Sequence, residues 1–329
     1  MPDDAEFASA YRGRRVCVTG GAGFIGSHLA EALVVHGAKV RIIDDLSNGL
    51  QSNLDGVADR IHFVRGSILD ETALREATEG AELIFHQAAV ASVPRSVKEP
   101  ALYAQVNAMG TLRVLEAARA AGAGRLIYAA SSSAYGDQAD AGGPRVESAP
   151  ANPQSPYAAA KCAGEHLLRA YAHCFGLSCL SLRYFNIFGP RQRPDSPYAA
   201  VIPLFIKALR EGRAPVIYGD GRQTRDFTYV ANAVHANLLA GAAHADLRGD
   251  VVNIACGRSA SVLDLLEGIA RLLGVEPRCE FAAERTGEVT HSLANIDAAR
   301  RLIRYEPIMH FQEGLKRTVD FYRGAFREG

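Results

Sequence analysis

The chain has 329 residues, which is too long for one small core, so we expect a large α/β domain with a smaller lobe. Acidic and basic residues balance at 36 each, so no excess of positive charge is available for binding a nucleic acid. The 6 cysteines form no CxxC pair, which favours reduced thiols in a cytoplasmic protein over a disulfide framework or a zinc site. No apolar stretch is long enough to predict a membrane span, and the acidic N-terminus lacks the apolar core of a signal peptide.

Short apolar runs alternate with helical patterns through the first half of the chain. The predicted strands are 15–19, 39–43, 61–64, 82–85, 125–130 and 178–183, and the predicted helices are 25–36, 70–78, 101–121 and 157–175. This alternation indicates a Rossmann-type doubly wound parallel sheet with helices on both faces. Residues 1–12 are expected to form a loose extension.

The regular alternation ends near residue 184. Two segments rich in glycine, proline or polar residues, 136–156 and 186–200, are predicted to be long loops of the kind that form lids or binding sites. The later predicted helices are 201–212, 230–242, 261–273 and 311–323, and the later strands lie near 215–218 and 251–254. We therefore predict one domain over 13–184, with contributions from about 226–256, and a smaller lobe mainly over 185–329.

A glycine-rich turn follows the first predicted strand. It reads GGAGFIG at 20–26 and leads directly into a helical pattern. Glycines let the backbone approach phosphate groups, and the helix N-terminus offers free N–H groups and a partial positive charge. Asp44 ends the second strand, 18 residues beyond Gly26, where an acid can bond the adenosine ribose. A carboxylate there favours NAD over NADP, and Ser67 and Ile68 end the third strand where the adenine would lie.

A second constellation lies at the end of the fifth strand and the start of the next helix. Tyr157 and Lys161 are four residues apart, so they share one helix face. A free tyrosine has a pKa near 10, and we expect a nearby ammonium and a positive nicotinamide ring to lower it towards the working range of a base. Ser131 ends the strand at the edge where such sheets hold ligands, and its hydroxyl is placed to bond the reacting oxygen.

On these residues the chain resembles the extended short-chain dehydrogenase/reductase family, specifically its nucleotide-sugar epimerases and dehydratases. The matching segments span nearly the whole chain and include TGGAGFIGSHL (19–29), HQAA (86–89), SSSAYGD (131–137), SPYAAAK (155–161), LRYFNIFGPRQ (182–192), GDGRQTRDFTYV (219–230) and EGLKRTVDFY (313–322). It is most similar to UDP-N-acetylglucosamine 4-epimerases, through SVPRS (92–96), PYAAVIP (197–203) and GEVTHSLANI (287–296).

The resemblance implies a role for each matching position. Catalysis would fall to Ser131, Tyr157 and Lys161. The positions implied to contact NAD are Gly20, Gly23, Phe24, Ile25, Gly26, Asp44, Asn48, Gly49, Ser67, Ile68, Gln87, Ala88, Ala89, Asn107, Tyr157, Lys161 and Tyr184. Those implied to line the sugar and phosphate site are Ser92, Ser132, Ser133, Asn186 and Gln192, and those implied to hold the nucleotide diphosphate are Val201, Tyr218, Arg225 and Arg285.

The residues after Ser131 bear on the reaction that the resemblance implies. Dehydratases of this family place an acid pair beside the catalytic serine or threonine, and decarboxylases place a glutamate there. Here the following residues are Ser132, Ser133 and Ala134, so no carboxylate is present. The implied reaction is NAD-dependent 4-epimerisation of a UDP-sugar through a transient 4-keto intermediate. A dehydratase or decarboxylase is the alternative within the family, and a non-catalytic dinucleotide-binding sensor is the alternative from another class.

Two further expectations rest on the resemblance. Ser292 occupies the position where strict UDP-galactose epimerases carry a bulky tyrosine, so its small side chain leaves room for an N-acetyl group. The expected substrates are UDP-N-acetylglucosamine and UDP-N-acetylgalactosamine, with UDP-glucose and UDP-galactose also open. Helices 101–121 and 157–175 resemble the pair that forms an intermolecular four-helix bundle in relatives, so a homodimer is expected.

Overall fold

The computed structural model describes residues 4–137, 143–193, 201–284 and 291–325. The strands are β1 (Arg15–Thr19), β2 (Lys39–Asp44), β3 (Ile61–Arg65), β4 (Leu83–His86), β5 (Arg125–Ser131), β6 (Ser178–Tyr184), β7 (Ile187–Phe188), β8 (Val216–Tyr218), β9 (Thr224–Arg225), β10 (Thr228–Tyr229), β11 (Arg248–Ile254), β12 (Ala260–Ser261) and β13 (Glu280–Ala282).

The helices are α1 (Asp4–Tyr11), α2 (Phe24–Val35), α3 (Glu71–Thr78), α4 (Val93–Lys98), α5 (Pro100–Tyr103), α6 (Gly110–Ala120), α7 (Pro156–Phe175), α8 (Val201–Arg210), α9 (Val230–Ala242), α10 (Val262–Leu273), α11 (Asp297–Ile303) and α12 (Phe311–Ala325). A π-helical turn, Ala104–Met109, joins α5 to α6 within the region predicted as one helix. Two 3₁₀ segments, Gln51–Arg60 and Ser132–Tyr135, follow β2 and β5.

The centre of the described structure is a seven-stranded sheet in the order β11-β6-β5-β4-β1-β2-β3. Each neighbouring pair in it is parallel. The strand order reverses between β1 and β4, and the carboxyl ends of these two strands flank the crevice where doubly wound sheets bind ligands. The sheet confirms the Rossmann-type fold class predicted from the alternation of strands and helices.

Both faces of the sheet are buried. Successive strand residues point to opposite faces. In β1, Val16 and Val18 join an apolar cluster with α1, α2 and α9, whereas Cys17 between them joins a second cluster with α3, α6 and α7. This two-sided burial explains why the strands appear in the sequence as continuous apolar runs.

The smaller lobe has its own apolar core. Residues of α8, α10 and α12 pack together there, with Phe205, Leu265 and Leu315 each at most 3% exposed. β7 and β10 pair in parallel outside the central sheet. Among the described residues, no helix is long and apolar enough to cross a membrane.

The expectation of a loose extension over residues 1–12 is wrong for its described part. Asp4–Tyr11 forms α1, in which the side chains of Phe7 and Tyr11 are 0% exposed. The Tyr11 hydroxyl donates a 2.6 Å hydrogen bond to the carbonyl of Leu238 in α9. The Phe7 ring packs edge-on against His36 and His235. Two aromatic side chains one helical turn apart therefore anchor a segment whose acidic composition suggested a loose tail.

We expect Phe7→Ala to lower the free energy of unfolding by about 3–5 kcal/mol, because the lost ring leaves a cavity against the domain. The measurement is the midpoint of urea unfolding, followed by far-UV circular dichroism. Phe281→Ala is the matched control, since Phe281 is 60% exposed. Equal midpoints for Phe7→Ala and the unmodified protein would show that α1 does not pack on the domain in solution.

Candidate active site

The glycine turn after β1 packs backbone against backbone. Gly20 has a φ of 68°, and a Cβ built on it would lie 2.7 Å from the Cα of Ala88. A Cβ on Gly26 would lie 2.2 Å from the carbonyl oxygen of Gly20. Gly23 precedes α2 without any side-chain hydrogen bond to cap the helix. The first N–H groups of α2, those of Phe24 and Ile25, therefore lie next to backbone that carries no side chains. A site that binds a pyrophosphate requires this.

Asp44 lies at the carboxyl end of β2, next to this turn, and is 8% exposed. Its two carboxylate oxygens accept 2.9 Å hydrogen bonds from the N–H groups of Ala22 and Leu46. Burial raises the pKa of this carboxyl, and the bonds from the backbone oppose that shift. A carboxylate can accept about four hydrogen bonds, so it keeps capacity for ribose hydroxyls. The turn and the acid together fit the adenosine and pyrophosphate portions of NAD.

Gln87, Asn237 and Tyr184 form a hydrogen-bonded network near the carboxyl ends of β4 and β6. The side-chain nitrogen of Gln87 donates to the Oδ1 of Asn237 at 3.0 Å, and its oxygen accepts from the hydroxyl of Tyr184 at 3.2 Å. Asn237 in turn donates to the Tyr184 hydroxyl at 2.6 Å. Sequence reasoning named Gln87 and Tyr184 but missed Asn237, which lies in α9 and has no motif of its own.

Asn107 supports the loop after β4. Its side chain is 1% exposed, and both its oxygen and its nitrogen bond the backbone of Val90, at 2.9 and 3.0 Å. The N–H of Ala88 in the same loop, which runs on through Ala89, donates to the Thr19 hydroxyl at 3.2 Å. Asn107 is therefore placed to hold this loop in position, and its amide has its partners within the protein.

The remaining predicted cofactor positions lie at the ends of β2 and β3. Gly49 is buried against the backbone of Ala22, whereas Asn48 is exposed. The hydroxyl of Ser67 accepts from the N–H of Leu69 at 3.2 Å, and Ile68 is 4% exposed within the apolar core.

Ser131 and Tyr157 lie close together at the end of β5 and the start of α7. Ser131 is the last residue of β5, and its hydroxyl accepts from the Oγ and the N–H of Ser133, at 2.8 and 3.2 Å. The side chain of Tyr157, the second residue of α7, lies beside that of Ser131. The ring of Tyr103 packs edge-on to Tyr157 with 6.2 Å between centroids. A serine hydroxyl and a phenol therefore lie close together at the carboxyl edge of the sheet.

Burial dominates the pKa of Tyr157 in the protein without cofactor. Burial raises it, the Ser131 side chain opposes the rise, and Tyr103 adds to it. Lys161 instead donates a 2.7 Å hydrogen bond to the carbonyl of Ala129 and lies 4.9 Å from the centre of the Tyr128 ring. Burial lowers the pKa of Lys161 to about 7, and the charge of Glu165 opposes that shift. The lowered pKa predicted from sequence refers to a site that also holds the nicotinamide ring, so it stays a prediction; in the protein alone, desolvation raises the pKa of Tyr157.

A cavity of about 500 Å³ in the smaller lobe gathers most of the predicted nucleotide residues. The predicted substrate residues that line it are Asn186, Gln192, Val201, Tyr218 and Arg225. Its described lining also includes Lys207 and Arg213, the latter paired with Glu211, and no carboxylate. Sequence reasoning missed these two cations, which lie in α8 and in the loop after it, outside the segments that carry the resemblance. The cation excess favours an anionic ligand such as a diphosphate.

The other predicted substrate residues lie outside this cavity's lining. Ser132 and Ser133 follow Ser131 in a 3₁₀ turn, and the hydroxyl of Ser92 accepts from the N–H of Arg95 at the start of α4. The N–H of Ser292 donates to the carbonyl of Thr224 at 3.0 Å, which places Ser292 beside the strand that carries Arg225. Arg285 lies outside the described residues.

Asp226 is a structural centre that sequence reasoning missed, although it lies within the motif at 219–230. Its side chain is 0% exposed, and its carboxylate accepts 2.9 Å hydrogen bonds from the N–H groups of Cys256 and Gly257 and a 3.4 Å bond from that of Ala294. Burial raises its pKa to about 6. Asp226 thereby ties the loop after β11 and the segment after Ser292 to the wall of the cavity.

The glycine turn, the acid after β2 and the Ser131–Tyr157–Lys161 set define an extended short-chain dehydrogenase/reductase. A model of the NAD dependent epimerase/dehydratase family matches residues 16–255, and the chain belongs to this family. It is 38% identical over 313 residues to a UDP-glucose 4-epimerase of Mycolicibacterium smegmatis, covering 94% of this chain and 98% of the relative.

Two solved structures share the fold over nearly the whole chain. One is a UDP-N-acetylglucosamine 4-epimerase from Methanobrevibacter ruminantium in complex with UDP-N-acetylmuramic acid, with 39% identity, a TM-score of 0.90 and coverage of 95% of this chain and 99% of that one. The other is a Thermus thermophilus UDP-glucose 4-epimerase in complex with NAD, with 34% identity, a TM-score of 0.85 and coverage of 94% and 99%. The cofactor of the family is NAD.

We expect Gly26→Ala to weaken NAD binding, because the added Cβ would meet the backbone of Gly20 and Gly21. Overpacking of about 1–3 kcal/mol corresponds to a rise in Kd of roughly 5–150-fold. The measurement is calorimetric titration of cofactor-stripped protein with NAD. Gly324→Ala is the control, since a Cβ there meets nothing within 4 Å. An unchanged Kd in a folded Gly26→Ala variant would contradict the cradle.

Proposed function

We propose that this protein is an NAD-dependent UDP-sugar 4-epimerase acting most readily on UDP-N-acetylglucosamine and UDP-N-acetylgalactosamine, with UDP-glucose and UDP-galactose as further substrates. The observation that carries the proposal is the placement of Ser131 beside Tyr157, with no acidic residue directly after Ser131. The cation-rich cavity in the lobe supports a nucleotide diphosphate as the anchor of the substrate.

We assign the cofactor site to the crevice between β1 and β4. The turn at 20–26 would receive the pyrophosphate, Asp44 the adenosine ribose, and Tyr157 and Lys161 the nicotinamide end. When bound, NAD supplies the acceptor and donor of a hydride. The remaining cofactor positions that the resemblance implies, from Asn48 to Tyr184, belong to this proposed site.

In the proposed reaction, Tyr157 accepts the proton of the sugar's 4-hydroxyl and later returns it. Ser131 donates a hydrogen bond to the same oxygen and keeps it beside the phenol. Burial holds Tyr157 protonated in the free protein, so positive charge brought into the site with the cofactor is needed to make it a base. The diphosphate would bind Arg225 and Arg285, with Lys207 and Arg213 adding positive charge.

The residues beside Ser131 favour epimerisation over elimination or decarboxylation. Ser132 and Ser133 are neutral donors and acceptors, and Ala134 is apolar. None of them can act as the acid that a 4,6-dehydratase needs to expel water. For a 4-keto sugar formed here, we therefore expect the hydride to return to its other face. This return inverts the configuration of the carbon.

The domain division and the assembly are proposals as well. We propose an NAD-binding domain over 13–184 with α9 and β11, and a nucleotide-sugar lobe mainly over 185–329. We propose a cytoplasmic homodimer through α7 and the α5–α6 region. Met109 and Phe175 support that interface, because these apolar side chains are 50% and 52% exposed on it.

The test is incubation of the purified protein with UDP-N-acetylglucosamine and with UDP-glucose, separately and without added NAD. We expect each sugar to give an isomer of equal mass over many turnovers, with no lasting NADH absorbance. Tyr157→Phe should lower kcat by roughly 10²–10⁴-fold, the range for lost acid–base catalysis. Tyr171→Phe in the same helix is the control, since Tyr171 bonds Glu116 away from the site.

Three results would contradict the proposal. A 4-keto-6-deoxy product would indicate a dehydratase, stoichiometric NADH would indicate a net dehydrogenase, and no turnover of either sugar would favour the sensor alternative. Near-normal kcat in a folded Tyr157→Phe variant would remove Tyr157 from its assigned role.

We expect Ser292→Tyr to act selectively on the acetamido sugars, because a phenol ring would fill the space for the N-acetyl group. Steric costs of about 1–3 kcal/mol predict that kcat/KM for UDP-N-acetylglucosamine falls roughly 5–150-fold relative to UDP-glucose. Ser292→Ala, which keeps the space, should leave the ratio unchanged. Equal losses on both sugars in Ser292→Tyr would show that residue 292 does not select the substrate.

A further inference from the structure

Two opposite charges are buried directly behind the catalytic lysine. Lys161, Glu165 and Arg183 are 3%, 5% and 4% exposed. The guanidinium of Arg183 donates two parallel hydrogen bonds to the carboxylate of Glu165, from Nε at 2.8 Å and from Nη2 at 2.7 Å. Nothing in the proposed chemistry uses this pair directly, and burying two charges is costly unless both are well bonded.

The fold brings the three charges together. Lys161 and Glu165 are one turn apart on α7, so their side chains share the helix face that packs on the sheet. Arg183 lies in β6, the strand beneath, and its guanidinium stacks 4.5 Å from the centre of the Tyr135 ring. The Tyr135 hydroxyl donates to the Oδ1 of Asn253 at 2.7 Å. Arg183 is thereby held between the Tyr135 ring and Glu165, and its two hydrogen bonds keep the Glu165 carboxylate in place.

The surroundings of Lys161 otherwise favour its neutral form. Burial lowers its pKa to about 7, and Glu165 is the charge that raises it. His86 in β4 faces it as a neutral ring, since burial lowers the pKa of His86 to about 3. Tyr128 in β5 faces it as a neutral phenol, because burial raises its pKa well above the usual value. Tyr157, one turn earlier on α7, is also held protonated by burial.

We propose that Glu165 is a positioning residue for the epimerase reaction: its carboxylate, held by Arg183, keeps Lys161 a charged ammonium inside a site whose burial favours the neutral amine. The inference rests on the proposed function in that a charged Lys161 is what can stabilise the Tyr157 phenolate. The ionisation itself is a property of the protein alone and can be measured without substrate.

The experiment is an NMR titration of the protein labelled with ¹³C at the lysine ε carbon. The chain has only five lysines, Lys39, Lys98, Lys161, Lys207 and Lys316, so the signals are resolvable, and Lys161→Arg identifies the one of interest. In Glu165→Gln the midpoint of Lys161 should fall by about one pH unit or more. The sign follows because an anion that favours the ammonium is lost and the cation of Arg183 is left nearby. The other lysines should not move.

Three further variants separate charge from packing. Glu165→Asp keeps the anion and should restore most of the Lys161 midpoint. Glu165→Met with Arg183→Met removes both charges at similar volume, so its midpoint should lie between those of the unmodified protein and Glu165→Gln. Glu306→Gln removes the surface partner of Arg300 and should change nothing.

The variants should rank in the same order by the pH dependence of kcat as by the Lys161 midpoint. As pH rises, kcat is lost when Lys161 becomes neutral, so this alkaline limb should move to lower pH in Glu165→Gln by the same interval as the NMR midpoint. At a pH above both midpoints, a shift of one unit lowers the charged fraction, and with it kcat, about tenfold. Because the nucleotide cavity is unaltered, KM should change much less than kcat.

Coincident Lys161 midpoints in the unmodified protein and Glu165→Gln would overturn the proposal. If Glu165→Gln does not fold, an unchanged Lys161 midpoint in the double variant Glu165→Met with Arg183→Met would equally overturn the proposal. A shifted midpoint with an unshifted rate profile would also overturn it, since the lysine charge would then not serve the reaction. Absence of epimerase turnover in the unmodified protein would refute the proposed function, while the titration would still report the Glu165 effect.

Discussion

The close backbone packing of the turn at 20–26 is the constraint on which the site depends. Gly20 contacts the backbone after β4, and Gly26 contacts Gly20 itself, so three segments meet without intervening side chains. That contact brings the start of α2 to the crevice between β1 and β4. It also fixes the distance from the crevice to the end of β5, where Ser131 meets Tyr157. A bulkier turn would separate the parts that must act on one ligand.

The smaller lobe depends on a comparable constraint at Asp226. One carboxylate without solvent contact accepts hydrogen bonds from backbone on two distant loops, at 256–257 and at 294. The loops cannot move independently of the strand pair that carries Arg225. The same buried group thus holds the segment after Ser292 and the strand that carries Arg225, a residue of the cavity lining, in fixed relation to each other.

The sequence could predict what local pattern encodes. The strand predicted at 125–130 is β5, Arg125–Ser131, because burial on both faces leaves a continuous apolar run, and the helix predicted at 230–242 matches α9. It could not predict α1, whose burial depends on partners in α9, or that Lys207 and Arg213 line one cavity, which is formed by distant segments of the chain. Nor could it predict how strongly burial raises the pKa of Tyr157 in the protein alone, because spacing shows that a lysine is near but not how completely both groups lose water.

The docking of α1 has a consequence for how the chain acquires its structure. The acceptor of the Tyr11 hydroxyl lies 227 residues later in the chain. At a synthesis rate of about 5–20 residues per second, α1 leaves the ribosome roughly 10–50 seconds before its partner exists. The last strand of the sheet, β11, is made later still. For that interval the aromatic side chains of α1 and one flank of β6 lack these partners on the nascent chain, so α1 is made early and fully buried late.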